Sequence, residues 1–188
     1  MDDLKDRVET VEVILKDVVE SKRKDMDELA PYIWTVKDFW EKVSRAKNGK
    51  EVRIKSDPFY VGLRGYKMQL LMYPNGIKKG KNGFISLYAA VMKGQYDAIL
   101  PWPFQYTGNI TVIDQNPDLT QRQNCSKCFV PNPSWTTMQR PESEGNSGQG
   151  FQAFLSHEEL RKGSYVVDET LIIKFEASRY TINDTDLH

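Results

Sequence analysis

Apolar positions in residues 1–29 recur at two alternating intervals. Met1, Leu4, Val8, Val11, Leu15 and Val18 lie 3, 4, 3, 4 and 3 residues apart, the spacing of a coiled-coil seam. Lys22 and Asp25 break the seam, and Met26 and Leu29 resume it in a shifted phase, as a stutter does. With Val8 and Leu15 at a positions, Val11 and Val18 fall at d. β-branched residues at d turn the preference away from a parallel dimer and toward three strands or more. The stretch holds no Gly, Pro or aromatic residue, so nothing local interrupts a helix. A single amphipathic helix packed on its own domain would give the same pattern over so short a stretch, and both readings stand at this point. The spacing favours the coil, with Leu4, Val8, Val11, Leu15 and Val18 as its oligomerisation positions.

Pro31 ends the helical pattern, and the period changes to two. The runs 32–36, 52–55, 67–73, 84–92, 109–113 and 170–177 are rich in β-branched and aromatic residues. Asn48-Gly49, Asp57-Pro58, Pro74-Asn75-Gly76, Lys81-Asn82-Gly83 and Asn116-Pro117 separate them as turns. Many short strands between turns predict an antiparallel sandwich or barrel. Two short helices interrupt them. Asp38 with Glu41 and Ser156 with Glu159 each have the capping-box spacing ahead of an apolar residue. Residues 141–150 are rich in Gly, Ser and Glu and read as a surface loop.

Composition narrows the function classes. The 188 residues carry 26 Lys plus Arg against 26 Asp plus Glu, so net charge gives no reason to expect nucleic acid. No apolar run approaches the roughly 20 residues that span a bilayer. The acidic start Met1-Asp2-Asp3 does not resemble a signal peptide. Two cysteines suit a reducing, cytosolic setting better than a secreted disulfide scaffold.

Little in the sequence points to catalysis. Of the two histidines, His157 and His188, the first reads as an exposed or capping residue of its helix turn. Cys125 and Cys128 are two ordinary loop or edge-strand thiols, because the further ligands of a zinc site and the βαβ setting of a redox pair are missing. No enzyme, metal or cofactor is expected. Lys78, Lys79 and Lys81 cluster at a hairpin tip, and Lys78 and Lys79 are candidates for contact with an anion or acidic ligand. The aromatics around Trp102-Pro103-Phe104 read as core.

A series of blocks then makes a family visible. In order they are Tyr32-Ile33-Trp34, Asp57-Pro58-Phe59-Tyr60, Gly65-Tyr66-Lys67-Met68, Ile85-Ser86-Leu87-Tyr88, Met92-Lys93-Gly94-Gln95-Tyr96-Asp97 and Leu100-Pro101-Trp102-Pro103-Phe104. Ile113-Asp114-Gln115-Asn116, Gln139-Arg140-Pro141, Phe154-x-Ser156-His157 and Tyr165-Val166-Val167-Asp168-Glu169 follow. Together they resemble the TRAF domain of the TNF receptor-associated factors, over residues 31–180. The resemblance implies a mainly β fold, an eight-stranded antiparallel β-sandwich of the MATH/TRAF-C type preceded by an N-terminal coiled-coil helix. The expected division is 1–29 as trimerisation helix, 31–180 as sandwich and 181–188 as a tail.

The resemblance also implies a function: a trimeric cytoplasmic signalling adaptor that binds short peptides from receptor tails or signalling proteins along a sandwich edge. Main-chain hydrogen bonds would give such binding its affinity, and alternate side-chain pockets its specificity. Two other readings are a MATH-type substrate-recognition module for ubiquitin transfer or removal, and a trimerisation unit docking acidic lipid headgroups. By the resemblance, the peptide contacts fall on Tyr73, Tyr88, Ile110, Phe129, Thr136, Thr137, Met138 and Phe151. Leu71 stands where many members have an arginine, and it cannot make a charge-assisted bond. Ile77 and Lys78 replace an Asp-Gly pair of some members.

Overall fold

A computed structural model of the protein describes residues 8, 10–19 and 29–179. Leu4, the break at Lys22 and Asp25, Met26 and the tail 181–188 lie outside the described residues. Val8 and residues 10–19 are helical and exposed throughout. Val11, Ile14, Leu15 and Val18 keep 54%, 56%, 56% and 47% of their surface in solvent. Leu29 packs on the core, with a methyl carbon 3.0 Å from where Gly62 would carry a Cβ.

Strands β1 (Tyr32–Val36), β2 (Ile54–Lys55), β3 (Phe59–Tyr60), β4 (Lys67–Tyr73), β5 (Phe84–Met92), β6 (Tyr106–Val112), β7 (Cys125–Phe129), β8 (Gln149–Ser156), β9 (Val166–Val167) and β10 (Thr170–Arg179) build two antiparallel sheets. One runs β1-β10-β6-β7, with β9 also on β10; the other runs β2-β4-β5-β8, with β3 also on β4. The described strands number ten where eight are expected; three of them, β2, β3 and β9, are two-residue pairings, and seven are longer. The two-sheet antiparallel sandwich is as expected.

Alternation fills the interior. Met68, Leu70 and Met72 on β4 and Ile85, Leu87, Ala89 and Val91 on β5 face Ile110 and Val112 on β6 and Leu171, Ile173 and Phe175 on β10. Each large apolar side chain sealed there is worth about 1.5–3 kcal/mol. Tyr66 sits at one end of this core, edge-on to Trp102 and Phe104 at 5.0 and 4.9 Å. Burial, then the neighbouring Tyr106, push its hydroxyl up to about 12, so it remains a donor, here to the Pro101 carbonyl. The Trp102–Phe104 aromatics belong to the core cluster, as the sequence suggests.

Helices α1 (Phe39–Lys47) and α2 (His157–Lys162) close the sandwich at one end. Ser156 and Glu159 form the full capping box of α2. The box expected at Asp38 does not form. Asp38 adopts left-handed backbone angles, φ 53° and ψ 43°, and its side chain makes no cap bond. The Glu169 carbonyl accepts from the Phe39 N–H at 2.9 Å, so a loop satisfies one of the first-turn donors that have no partner within the helix.

The β4–β5 turn carries the lysine tip and is fixed by its backbone. Gly76 has φ +64°, and a Cβ there would lie 2.1 Å from the Gly80 carbonyl oxygen. Gly80 in turn lies flat on β8, where a Cβ would meet Gln152 O at 1.8 Å. Buried Ser86 accepts from the Ile77 N–H at 3.0 Å and donates to the Gln152 carbonyl. A bulge in β8 opposite Ser86 makes that second bond reachable.

Candidate functional site

The outer face of the β4–β5 pair carries two tyrosines. Tyr73 pairs with Ser86 across the strands, Tyr88 pairs with Leu71, and side chains two apart share a face. The tyrosine rings meet edge to face, 5.9 Å apart at 79°. Both are half-buried. Burial first, and Tyr73 second, raise the Tyr88 hydroxyl above its usual range. Tyr88 therefore stays a hydroxyl donor, and the pair offers an aromatic ledge. Leu71, beside it, is 8% exposed and lies under Gly148, where a Cβ would come within 3.2 Å of it. A ligand on this face meets the tyrosines and scarcely touches Leu71.

β8 runs from this ledge to the sandwich edge. Gly150 opposes Tyr88, and a Cβ there would stand 2.2 Å from Leu87 O, so only glycine lets β8 pass this close. Phe151 follows, half-buried and edge-on to Phe154 at 5.8 Å. From β7, Lys127 Nζ lies 5.9 and 5.3 Å from these two rings and donates to Ala153 O at 2.8 Å. One ammonium thus joins the edges of the two sheets.

Among the described residues, β7 pairs with β6 on one side only. Its other side is an open row of backbone donors and acceptors, the usual template for an added strand. Ser126 and Cys128 point outward and are exposed; Lys127 and half-buried Cys125 point inward. The two thiols of Cys125-x-x-Cys128 therefore leave opposite faces of one strand and cannot bridge each other. Burial raises the Cys125 thiol above its usual range.

The 3₁₀ turn Thr136–Met138 is tied to the same neighbourhood by Asn146. Its Nδ2 donates to Thr137 O at 3.1 Å and Gln139 O at 2.7 Å, while its backbone N–H donates to Val91 O on β5. Thr136 is exposed. Thr137 is half-buried, and its Oγ1 has no hydrogen-bond partner among the described residues.

The expected contact residues therefore divide. Tyr73 and Tyr88 share the outer face of β4–β5, whereas Phe151 pairs with Leu87 and turns to the inner face, packed against the core beside Lys127 at the sandwich edge. Thr136 and Thr137 sit on the turn that Asn146 ties to β5. Ile110 and Met138 are both 0% exposed and serve the core, so in this conformation a ligand cannot reach them. Phe129 is 6% exposed and lies over Gly108, with ring atoms 2.2 Å from where a Cβ would sit; it too is mainly packing. Lys78 and Lys79 are exposed at the turn that follows Tyr73.

His157 is neither exposed nor the cap. It is 5% exposed, with Nε2 2.8 Å from the Pro74 carbonyl. Burial holds it below its ordinary value, the Pro74 bond opposes this, and Lys47 and Arg161 add to the lowering. Its ring thus braces the lysine-bearing turn as a neutral group. Sequence reading missed two residues of the edge, Lys127 and Asn146. Alternation through Cys125–Phe129 would have turned Lys127 inward had that run been read as a strand.

Among the described residues no group of three or more His, Cys, Asp or Glu could hold a metal ion, and no helix is long and apolar enough to cross a membrane. Comparison with known proteins agrees with the sandwich. The family model described as TRAF/meprin, MATH domain matches residues 51–174. Human TNF receptor-associated factor 5 is 32% identical over 154 residues, 81% of this chain and 27% of the relative. Mouse TNF receptor-associated factor 1 is 34% identical over 145 residues, 76% of this chain and 34% of the relative. Mouse TNF receptor-associated factor 6 is 36% identical over 150 residues, 78% of this chain and 28% of the relative. Among solved structures, Notothenia coriiceps TRAF5 matches with a TM-score of 0.76 at 28% identity, over 96% of this chain and 93% of that one. The chain thus spans only about a quarter to a third of these curated relatives. On the family model and on these identities, the chain belongs to the TRAF/meprin MATH-domain family and has TNF receptor-associated factors as its relatives.

Proposed function

We propose that this chain is the peptide-docking part of a trimeric cytoplasmic signalling adaptor, without catalytic activity of its own. The sandwich of residues 31–180 docks short peptides from receptor tails or signalling proteins, and the helix within 1–29 brings three copies together. The observation that carries the reading is the edge position of β7, with inward-facing Phe151 beside it and the Tyr73–Tyr88 ledge on the outer face of the neighbouring sheet. A strand added to β7 would satisfy its backbone groups on that edge. Side chains of the same peptide would reach Thr136, Thr137 and the tyrosines. Leu71 supplies no charge there, so an acidic ligand group would be taken by Lys78 or Lys79 or would contribute little.

Fluorescence anisotropy against a panel of receptor-tail peptides tests this. The panel varies the acidic and glutamine positions and includes phosphorylated forms. The expected result is saturable binding, roughly micromolar to millimolar, that Tyr73→Ala abolishes. A folded protein that binds no peptide of the panel, or binds equally well as Tyr73→Ala, refutes the reading.

A further inference from the structure

A second surface, away from the β7 edge, is assembled from three segments that are far apart in sequence. Trp40, Val43, Ser44 and Lys47 form one stripe of α1, and with Arg161 of α2 they line a cleft of about 410 Å³. Around the end of α1, Val52, Asn75, Ile77, Lys78 and Lys81 line a second cleft of about 310 Å³. His157 locks the parts together, since its backbone N–H donates to Gly83 O at 2.8 Å and its ring bonds Pro74 O.

The charge on this face is unbalanced. The ion pairs among the described residues are Arg45 with Glu41 and Glu51, Lys162 with Glu158, and Lys174 with Glu176. None of them uses Lys47, Lys78, Lys79, Lys81 or Arg161. The Arg161 guanidinium stacks on Trp40 at 4.6 Å. Stacking covers its face and leaves its edge donors free for a planar carboxylate or a phosphate. Positions at helix C-termini explain a preference for cations at Lys47 and Arg161. They do not explain the three lysines of the turn, which Ser86 and Gly80 fix against β8.

The clefts also have apolar walls. Val52 is 55% exposed in one, and Trp40 and Val43 line the other. A lipid surface is flat, whereas an extended acidic peptide brings carboxylates for the cations and apolar side chains that enter the two hollows. We propose that this face docks an acidic peptide segment of a partner protein, laid in extended form around the end of α1, independently of the tyrosine ledge.

The probe is a fluorescein-labelled peptide of alternating glutamate and leucine with glycine spacers, titrated by anisotropy against the full chain. Wild type should bind it saturably. Lys47→Glu with Arg161→Glu, and Lys78→Glu with Lys81→Glu, should each weaken it roughly tenfold or more, and Tyr73→Ala should leave it unchanged. The same peptide with lysine for glutamate should not bind. All four reversed positions are exposed, and near-UV circular dichroism with a parallel Lys→Gln and Arg→Gln set separates loss of charge from loss of fold. Absence of saturable binding, binding indifferent to both charge reversals, or binding lost in Tyr73→Ala overturns the proposal. So does co-sedimentation with phosphatidylserine-containing vesicles in the absence of peptide binding, which would give the face to a membrane.

Discussion

At the scale of single residues, His157 makes a prediction about pH. Its folded-state value is lowered from the ordinary 6.5, chiefly by burial. As the pH falls below that value, the unfolded chain takes up a proton that the folded chain refuses, so the unfolded state gains. Stability should therefore be level above about pH 7 and fall on acidification through the window between 6.5 and the lowered folded value. Glu159 is also held below its ordinary 4.5, by its bonds with Ser156, and contributes only in more acid solution. Urea midpoints measured from about pH 5 to pH 8 should show the slope, and His157→Gln should flatten it. An unchanged slope in that variant would assign the acid sensitivity elsewhere. The burial of His157 was not legible in the sequence, because Ser156-His157-Glu158-Glu159 reads as an exposed capped turn. What buries the ring is Trp40 and the carbonyl of Pro74, far along the chain. The same limit applies to Ile110 and Met138. A family likeness places them near the ligand, and only the packing of Phe104 and both sheets shows that they face inward.

At the scale of elements, the two capping patterns look alike in sequence and behave differently. Ser156 makes its bond to the Glu159 N–H, at 3.1 Å, whereas Asp38 makes none. Ser156→Ala should cost about 1 kcal/mol of stability, and Asp38→Asn should stay within about 0.5 kcal/mol, since Asn tolerates the left-handed region and no cap is lost. Chemical denaturation of the two variants checks this, and equal losses would contradict the difference. Strands were read as well as their side chains allowed. β1 and β5 emerged with their observed ends because aromatic and β-branched residues mark them, and β4 because Leu, Met and Tyr run unbroken from Leu70 up to the Pro74-Asn75-Gly76 turn. β7 offers only Phe129 as a large apolar residue, and β8 begins Gln149-Gly150 and is then bulged, which breaks the period of two. Both edges of the proposed groove were therefore the strands hardest to see, since an edge half-exposed to water has little need of apolar residues.

At the scale of the whole molecule, the helix at residues 10–19 leaves Val11, Ile14, Leu15 and Val18 in water, an apolar stripe whose exposure is unfavourable for a lone chain. Association of three such helices would bury it and carry three docking sites together. Binding to clustered partners would then gain through effective concentration without any new contact. Light scattering should give a trimer for the wild-type chain and a monomer for Val11→Asp with Val18→Asp, the sandwich remaining folded in both. A monomeric wild type well above micromolar concentration would end that reading. A trimer also raises the local density of open strand edges, which invites copies to stack on one another. Lys127 bears on this through symmetry. It is the central residue of β7, and two copies of that strand meeting antiparallel about a two-fold axis, with every residue paired, would set Lys127 directly across from Lys127. Like charges face to face oppose that register, and a slipped register leaves part of the strand unpaired. A guest with a different sequence carries no such two-fold conflict. The strand that can receive a foreign peptide is thus the one least able to pair with its own image.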